Sequence, residues 1–211
     1  MDRFTPHTPD GLVRLIAERC LERRGRVRVA VDGPQAADPE ALAQRTAAWL
    51  RQAGRPAAVV DLHDFQLPAS QRLETGREDP DSFTFRWFDY AALAREVLDP
   101  LAPHSGDAFW LPRLREAGSD RSARVPRQQA APELVLLVAG PMLLGRWLDF
   151  DVTVHLRMDP GVLLHRTPPE AQFTVQALCR YQDELTEQPD ILARYNHPGR
   201  PAVLACNPEP P

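Results

Sequence analysis

Residues 29–43, VAVDGPQAADPEALA, decide how the rest of the chain is read. The β-branched run Val27–Asp32 suits a buried strand, Gly33 opens a turn, and Pro39 onward suits a helix. Asp38 is placed as N-cap, Pro39 as the first helical residue, and Glu40 as a first-turn acid facing the helix dipole. Strand, glycine turn and helix, in that order, make the first half of a βαβ unit.

The outward reading repeats the alternation. Residues 11–24 put Leu12, Leu15, Ile16 and Leu21 on one helical face. The second helix is expected over 39–54, a second strand over 57–65, a long loop over 66–88 and a third helix over 88–101. The Arg-, Pro-, Gly- and Ser-rich stretch 102–132 reads as a flexible flap or hairpin, and 1–10 and 206–211 as loose termini. Strands follow at 133–140 and 150–158, then helices at 160–166 and 170–195, then a last strand in 201–205. Strands alternating with helices predict one α/β domain spanning 1–211, a doubly wound parallel sheet of about five strands. ELVLLVAG (133–140) is apolar enough for a strand buried on both faces.

Composition narrows the function. The net charge of −4 argues against a nucleic-acid polymer as partner. No apolar run has membrane-spanning length, and MDRFTPHTPD has no signal-peptide regions, so a cytoplasmic protein is expected. Three scattered cysteines fit reduced thiols, and no His or Cys spacing suits a metal. All 25 basic residues are arginine. Chemistry that requires a lysine ammonium must therefore find another cation.

The turn after the first strand has the context of a phosphate loop, G-x-x-x-x-G-K-[ST]. Gly33 matches the first glycine, but Asp38 stands at the second, Pro39 at the lysine and Glu40 at the hydroxyl residue. The opening VDGP turn resembles that of bacterial uridine kinase-like proteins. Other stretches of residues 12–205 are similar to the uridine kinase and phosphoribulokinase family: His63-Asp64-Phe65 at its base-bearing turn, Arg77–Phe83 with Phe88-Asp89-Tyr90 at its substrate loop, and Arg180-Tyr181 near the C-terminus. The resemblance implies a P-loop nucleoside kinase fold with a small flap or lid. It implies acid–base work for His63 and Asp64, and ligand contacts for Arg77, Glu78, Asp81, Phe83 and Tyr90. It implies a lid bearing Arg157 and Arg166, and a degenerate phosphate loop of Asp32, Gly33, Asp38, Pro39 and Glu40.

Pro39 removes one N–H, and two carboxylates replace positive charge where a triphosphate would sit. The expectation is a uridine kinase-like protein that has lost Mg-ATP phosphotransfer: a pseudokinase, or a fold reused without ATP on a nucleoside-like small molecule. No cofactor is expected under that reading. Two alternatives stay open, an active kinase that binds ATP and magnesium without lysine and a nucleoside-binding regulatory module. A homodimer stays open as well.

Overall fold

The computed structural model describes residues 4–103, 105–106, 108–116 and 120–205. After the short strand β1 (Thr5–Pro6) come α1 (Pro9–Leu21), β2 (Val27–Asp32), α2 (Pro39–Gln52) and β3 (Ala57–Asp61). The helices α3 (Ala69–Arg72), α4 (Pro80–Arg86) and α5 (Tyr90–Leu93) follow, α5 running on through a π turn to Leu98. A ribbon of β4 (Phe109–Trp110) and β5 (Gln128–Gln129) precedes β6 (Val135–Gly140) and β7 (Val152–Arg157). The chain closes with α6 (Pro160–Arg166), α7 (Phe173–Glu184), β8 (Ile191–Arg194) and β9 (Ala202–Ala205).

The sheet order is β1-β9-β8-β7-β2-β6-β3. The five strands from β8 to β3 are parallel, while β9 and β1 add antiparallel pairs at one edge. This is an α/β fold on a mixed, mostly parallel sheet. All of β2 and β6 is buried, as fits β-branched and leucine-rich runs covered on both faces. Each fully buried Val or Leu, such as Val29 or Leu137, contributes roughly 1.5–3 kcal/mol. α2 packs against β2, β3 and β6 and against α1 beside it, while α7 packs on α4 and α6.

Several expectations need correction. The 57–65 strand stops at Asp61, where the Asp61 side chain accepts the His63 N–H and turns the chain into a 3-10 turn, Leu62–Phe65. The 66–88 loop contains α3 and α4, the latter capped by Asp79. The 170–195 helix ends at Glu184; the segment through Pro189 cannot continue it, and residues 191–194 become β8, the fifth parallel strand. The 201–205 strand runs antiparallel, outside the parallel set. Residues 5–6 and 9–10 belong to β1 and α1 rather than a loose terminus, while 1–3 and 206–211 lie outside the described residues.

The parallel strands, numbered in chain order, lie 5-4-1-3-2 in space, so the connections leave β2 in opposite directions. In open α/β sheets such a switch point leaves a crevice beyond the strand C-termini, where ligands bind. The loop that leaves β6 is backbone-strained, with Met142 and Trp147 at φ 57°, and Trp147 is fully exposed.

Candidate functional site

Two close approaches shape the mouth of the crevice. Gly33 donates its N–H to the Gly140 carbonyl (3.1 Å), and a Cβ on it would lie 2.8 Å from the Leu156 Cβ. A Cβ on Gly140 would lie 2.5 Å from the Leu62 Cβ. Only glycine fits either position without repacking.

Beneath the mouth, Asp32 is fully buried at the end of β2. Its Oδ1 accepts the Leu143 N–H (2.9 Å), and its Oδ2 accepts the Tyr181 hydroxyl (2.9 Å) and meets His155 Nδ1 (2.5 Å). Burial, with Asp32 next to it, drives the Tyr181 phenol far above its ordinary range. This network ties β2, the segment after β6, β7 and α7 to one carboxylate. His155, which alone in sequence has no partner, belongs to it.

From Gly33 the chain passes through Pro34 into a 3-10 turn, Gln35–Ala37, whose N–H groups at Ala37 and Asp38 bond back to Pro34 and Gln35 carbonyls. Asp38 sits in the left-handed region (φ 53°, ψ 59°), a conformation that aspartate tolerates better than most residues. Its Oδ1 accepts the Ala41 N–H (3.1 Å), so the carboxylate caps α2. Pro39 brings no N–H, as its position at the first helical residue allows. Burial first, then the carboxylates of Asp61, Asp38 and Asp64, raise the Glu40 pKa.

Above this loop opens a cavity of about 570 Å³. Asp38 and His63 line one side, Phe83, Trp87 and Phe173 form an aromatic wall, and Arg166 stands at another edge. One terminal nitrogen of the Arg166 guanidinium is buried without a hydrogen-bond partner.

His63 does not pair with Asp64. Its Nδ1 lies 2.8 Å from Asp61 Oδ1, which also holds the His63 N–H, and its ring meets Phe88 edge-on. With Nδ1–H donated to Asp61, Nε2 is left as the basic nitrogen. Burial works to raise the Asp61 pKa, but the His63 hydrogen bonds and charge, helped by Arg113, hold it below the ordinary value. Asp64 instead meets Arg113 Nε at 3.1 Å, and its carbonyl accepts the N–H groups of Leu114 and Arg115. Burial raises its pKa despite Arg113.

The remaining predicted residues separate. Phe83 lines the cavity. Arg77 and Glu78 are exposed in the turn before α4, and Asp81 pairs outward with Arg180 (2.9 Å). Tyr90 lies under the Arg146 guanidinium, its hydroxyl buried and unpartnered and its pKa pushed up by burial. Arg166 lines the cavity, whereas Arg157 reaches Asp183 at 3.5 Å. Of the two carboxylates beside His63 in sequence, Asp61 and not Asp64 is its partner, and the Asp-x-His spacing at a strand end is the signal for it; Phe173 carries no such signal in sequence. Among the described residues no group of three or more His, Cys, Asp or Glu is placed to hold a metal ion.

No family model and no curated protein sequence matches the chain. Solved structures do. A possible uridine kinase from Bacillus stearothermophilus superposes with a TM-score of 0.64 at 16% identity, over 85% of this chain and 96% of that one. A protein assigned as a fructose transport system kinase from Silicibacter sp. TM1040 gives 0.61 at 20% identity, over 85% and 98%. A D-glycerate 3-kinase from Cryptococcus neoformans var. grubii gives 0.53 at 16% identity, over 84% and 81%. Sheet order, glycine turn and these superpositions together give the chain the P-loop kinase fold of the uridine kinase and phosphoribulokinase type.

Proposed function

We propose that this chain is a uridine kinase-like protein that has given up Mg-ATP phosphotransfer and uses the cavity above residues 33–40 to bind a nucleoside-like small molecule. The observation that carries the reading is the Asp38 carboxylate. It caps α2 at the helix N-terminus where a phosphate loop would present N–H groups to phosphate. Pro39 supplies no donor, and Glu40 already feels three neighbouring carboxylates. A triphosphate would add charge of the same sign to a partly buried cluster, so the residues present do not fit it.

The aromatic wall offers a ring face, and the cavity has the volume of a small-molecule site. His63, oriented by Asp61, is the group best placed to move a proton there, through Nε2. Asp64, occupied by Arg113, serves to hold the 113–115 segment.

One observation favours a second reading. The unpartnered guanidinium nitrogen of Arg166 could take the place of the missing lysine in an active, lysine-free kinase. A thermal-shift titration with Mg·ATP, uridine and cytidine separates the two. The proposal expects stabilisation by a nucleoside and none by Mg·ATP. A saturable Mg·ATP shift of several degrees that disappears in Arg166→Ala would replace it with the second reading.

A further inference from the structure

β2 has a second cavity at its other end. Five residue steps of about 3.3 Å place it roughly 16 Å from the crevice, at the N-terminal side of the sheet. Its volume is about 550 Å³, and it is bounded by residues 23–27, Ala102, Pro103, Pro132 and Asp151.

The lining is cationic and is carried on a braced turn. Arg23, Arg24 and Arg26 surround Gly25, whose left-handed backbone (φ 73°) makes the turn. Arg55 fixes that turn from behind, donating to the carbonyls of Arg23 (3.2 Å), Gly25 (2.6 Å) and Glu133 (2.7 Å). The Gly25 N–H donates to Glu133 Oε1, and Glu133 is itself paired with Arg55.

Asp151 is the one carboxylate in the lining, and Arg28 takes both its oxygens, at 2.9 and 3.0 Å. The three arginines of the turn are therefore not neutralised by it. Among the described residues the exposed side chains of Arg23 and Arg24 make no hydrogen bond or ion pair. Arg26 gives its terminal nitrogens to the carbonyls of Ser105 and Gly106, which leaves its Nε buried and unpartnered.

We infer that this cavity binds a phosphate monoester of a small organic molecule. Guanidinium groups match the oxygens of a phosphate in a way that single point charges do not, and the turn is ordered before any ligand arrives. The volume exceeds what an inorganic phosphate fills, and Ala102, Pro103 and Pro132 offer an apolar wall for the organic part. This site is independent of the cleft chemistry proposed above.

The test is calorimetric titration at constant ionic strength with ribose 5-phosphate, inorganic phosphate and, as an uncharged control, ribose. Saturable one-to-one binding of ribose 5-phosphate, tighter than that of inorganic phosphate and absent for ribose, is expected. Arg23→Ala with Arg24→Ala should weaken it by about tenfold or more, the loss of one or two charge-assisted hydrogen bonds. His63→Ala should leave it unchanged. Where the double variant loses helical circular dichroism, Arg24→Ala alone takes its place. No saturable binding, or binding that survives the arginine changes, overturns the inference.

Discussion

The turn that enters β2 and the turn that leaves it carry opposite charge. On entry stand Arg23, Arg24 and Arg26 around a left-handed glycine. On exit stand Asp38 and Glu40, with Asp61 and Asp64 near them, around a left-handed aspartate. A fold of this type uses the exit turn for phosphate, where positive charge and free N–H groups are needed. Here the exit turn holds acids, while the arginines collect at the far end of the same strand. Backbone path and surface charge have thus been set separately: glycine contacts and strand pairing govern the first, and a few side chains govern the second.

That contrast can be broken at its anchors. Each end of β2 holds a buried charge, Asp32 on exit and Arg28 on entry. Asp32→Ala should cost about 3–5 kcal/mol in chemical denaturation, because it strands Tyr181, His155 and the Leu143 N–H out of water's reach. Arg28→Ala should cost less, since the Asp151 it leaves behind is partly solvated. An equal or larger cost for Arg28→Ala would mean that the entry turn is the stronger anchor.

The charge itself can be reversed. Asp38→Gly, Pro39→Lys and Glu40→Thr together should restore Mg·ATP binding, seen as stabilisation of about 2.7 kcal/mol at a hundredfold excess over Kd. Failure of the triple variant to respond would show that the bend is not an intact phosphate cradle. Gly33→Ala tests the bend, with an expected loss of about 1–3 kcal/mol from overpacking against Leu156.

The smallest effect is electrostatic. Glu40 has a raised pKa in the folded state, so its ionised form weighs against folding at neutral pH. Glu40→Gln should therefore stabilise slightly, by less than about 1 kcal/mol given its solvent exposure. The difference should vanish below the ordinary glutamate pKa, where both states are protonated. Asp61 runs the other way. Its lowered pKa gives stability that is present above the ordinary aspartate value and lost as pH falls through its own lower one. His63→Ala should move that acid limb of the stability profile to higher pH.

Much of the architecture was legible because burial on both faces leaves plain apolar runs, as in β2 and β6. β8 escaped because Ile191–Arg194 is only four residues long and follows a helical pattern; Pro189 was the available break. The acids of the exit turn could be placed by counting from Gly33. Partner choice could not: His63 has an aspartate within two residues on either side, and only the 3-10 turn selects Asp61. The aromatic wall needed Phe83 and Phe173, ninety residues apart in the chain, brought together by the packing of α4 on α7. Arg23 and Arg24 were read as the end of the first helix, which stops at Leu21, and the cavity that their turn faces also depends on Pro103 and Pro132, which only folding brings to it.

The placement of the four tryptophans makes the protein a convenient optical gauge. Trp147 is wholly in water, Trp110 is buried and Trp49 is half-buried toward the C-terminal end of α2, outside the crevice lining, while Trp87 stands in the wall of the crevice. A collisional quencher such as iodide should silence Trp147 first and leave Trp110 bright. With that background removed, a change in emission on adding a ligand reports on Trp87, and crevice occupancy can be read without a label.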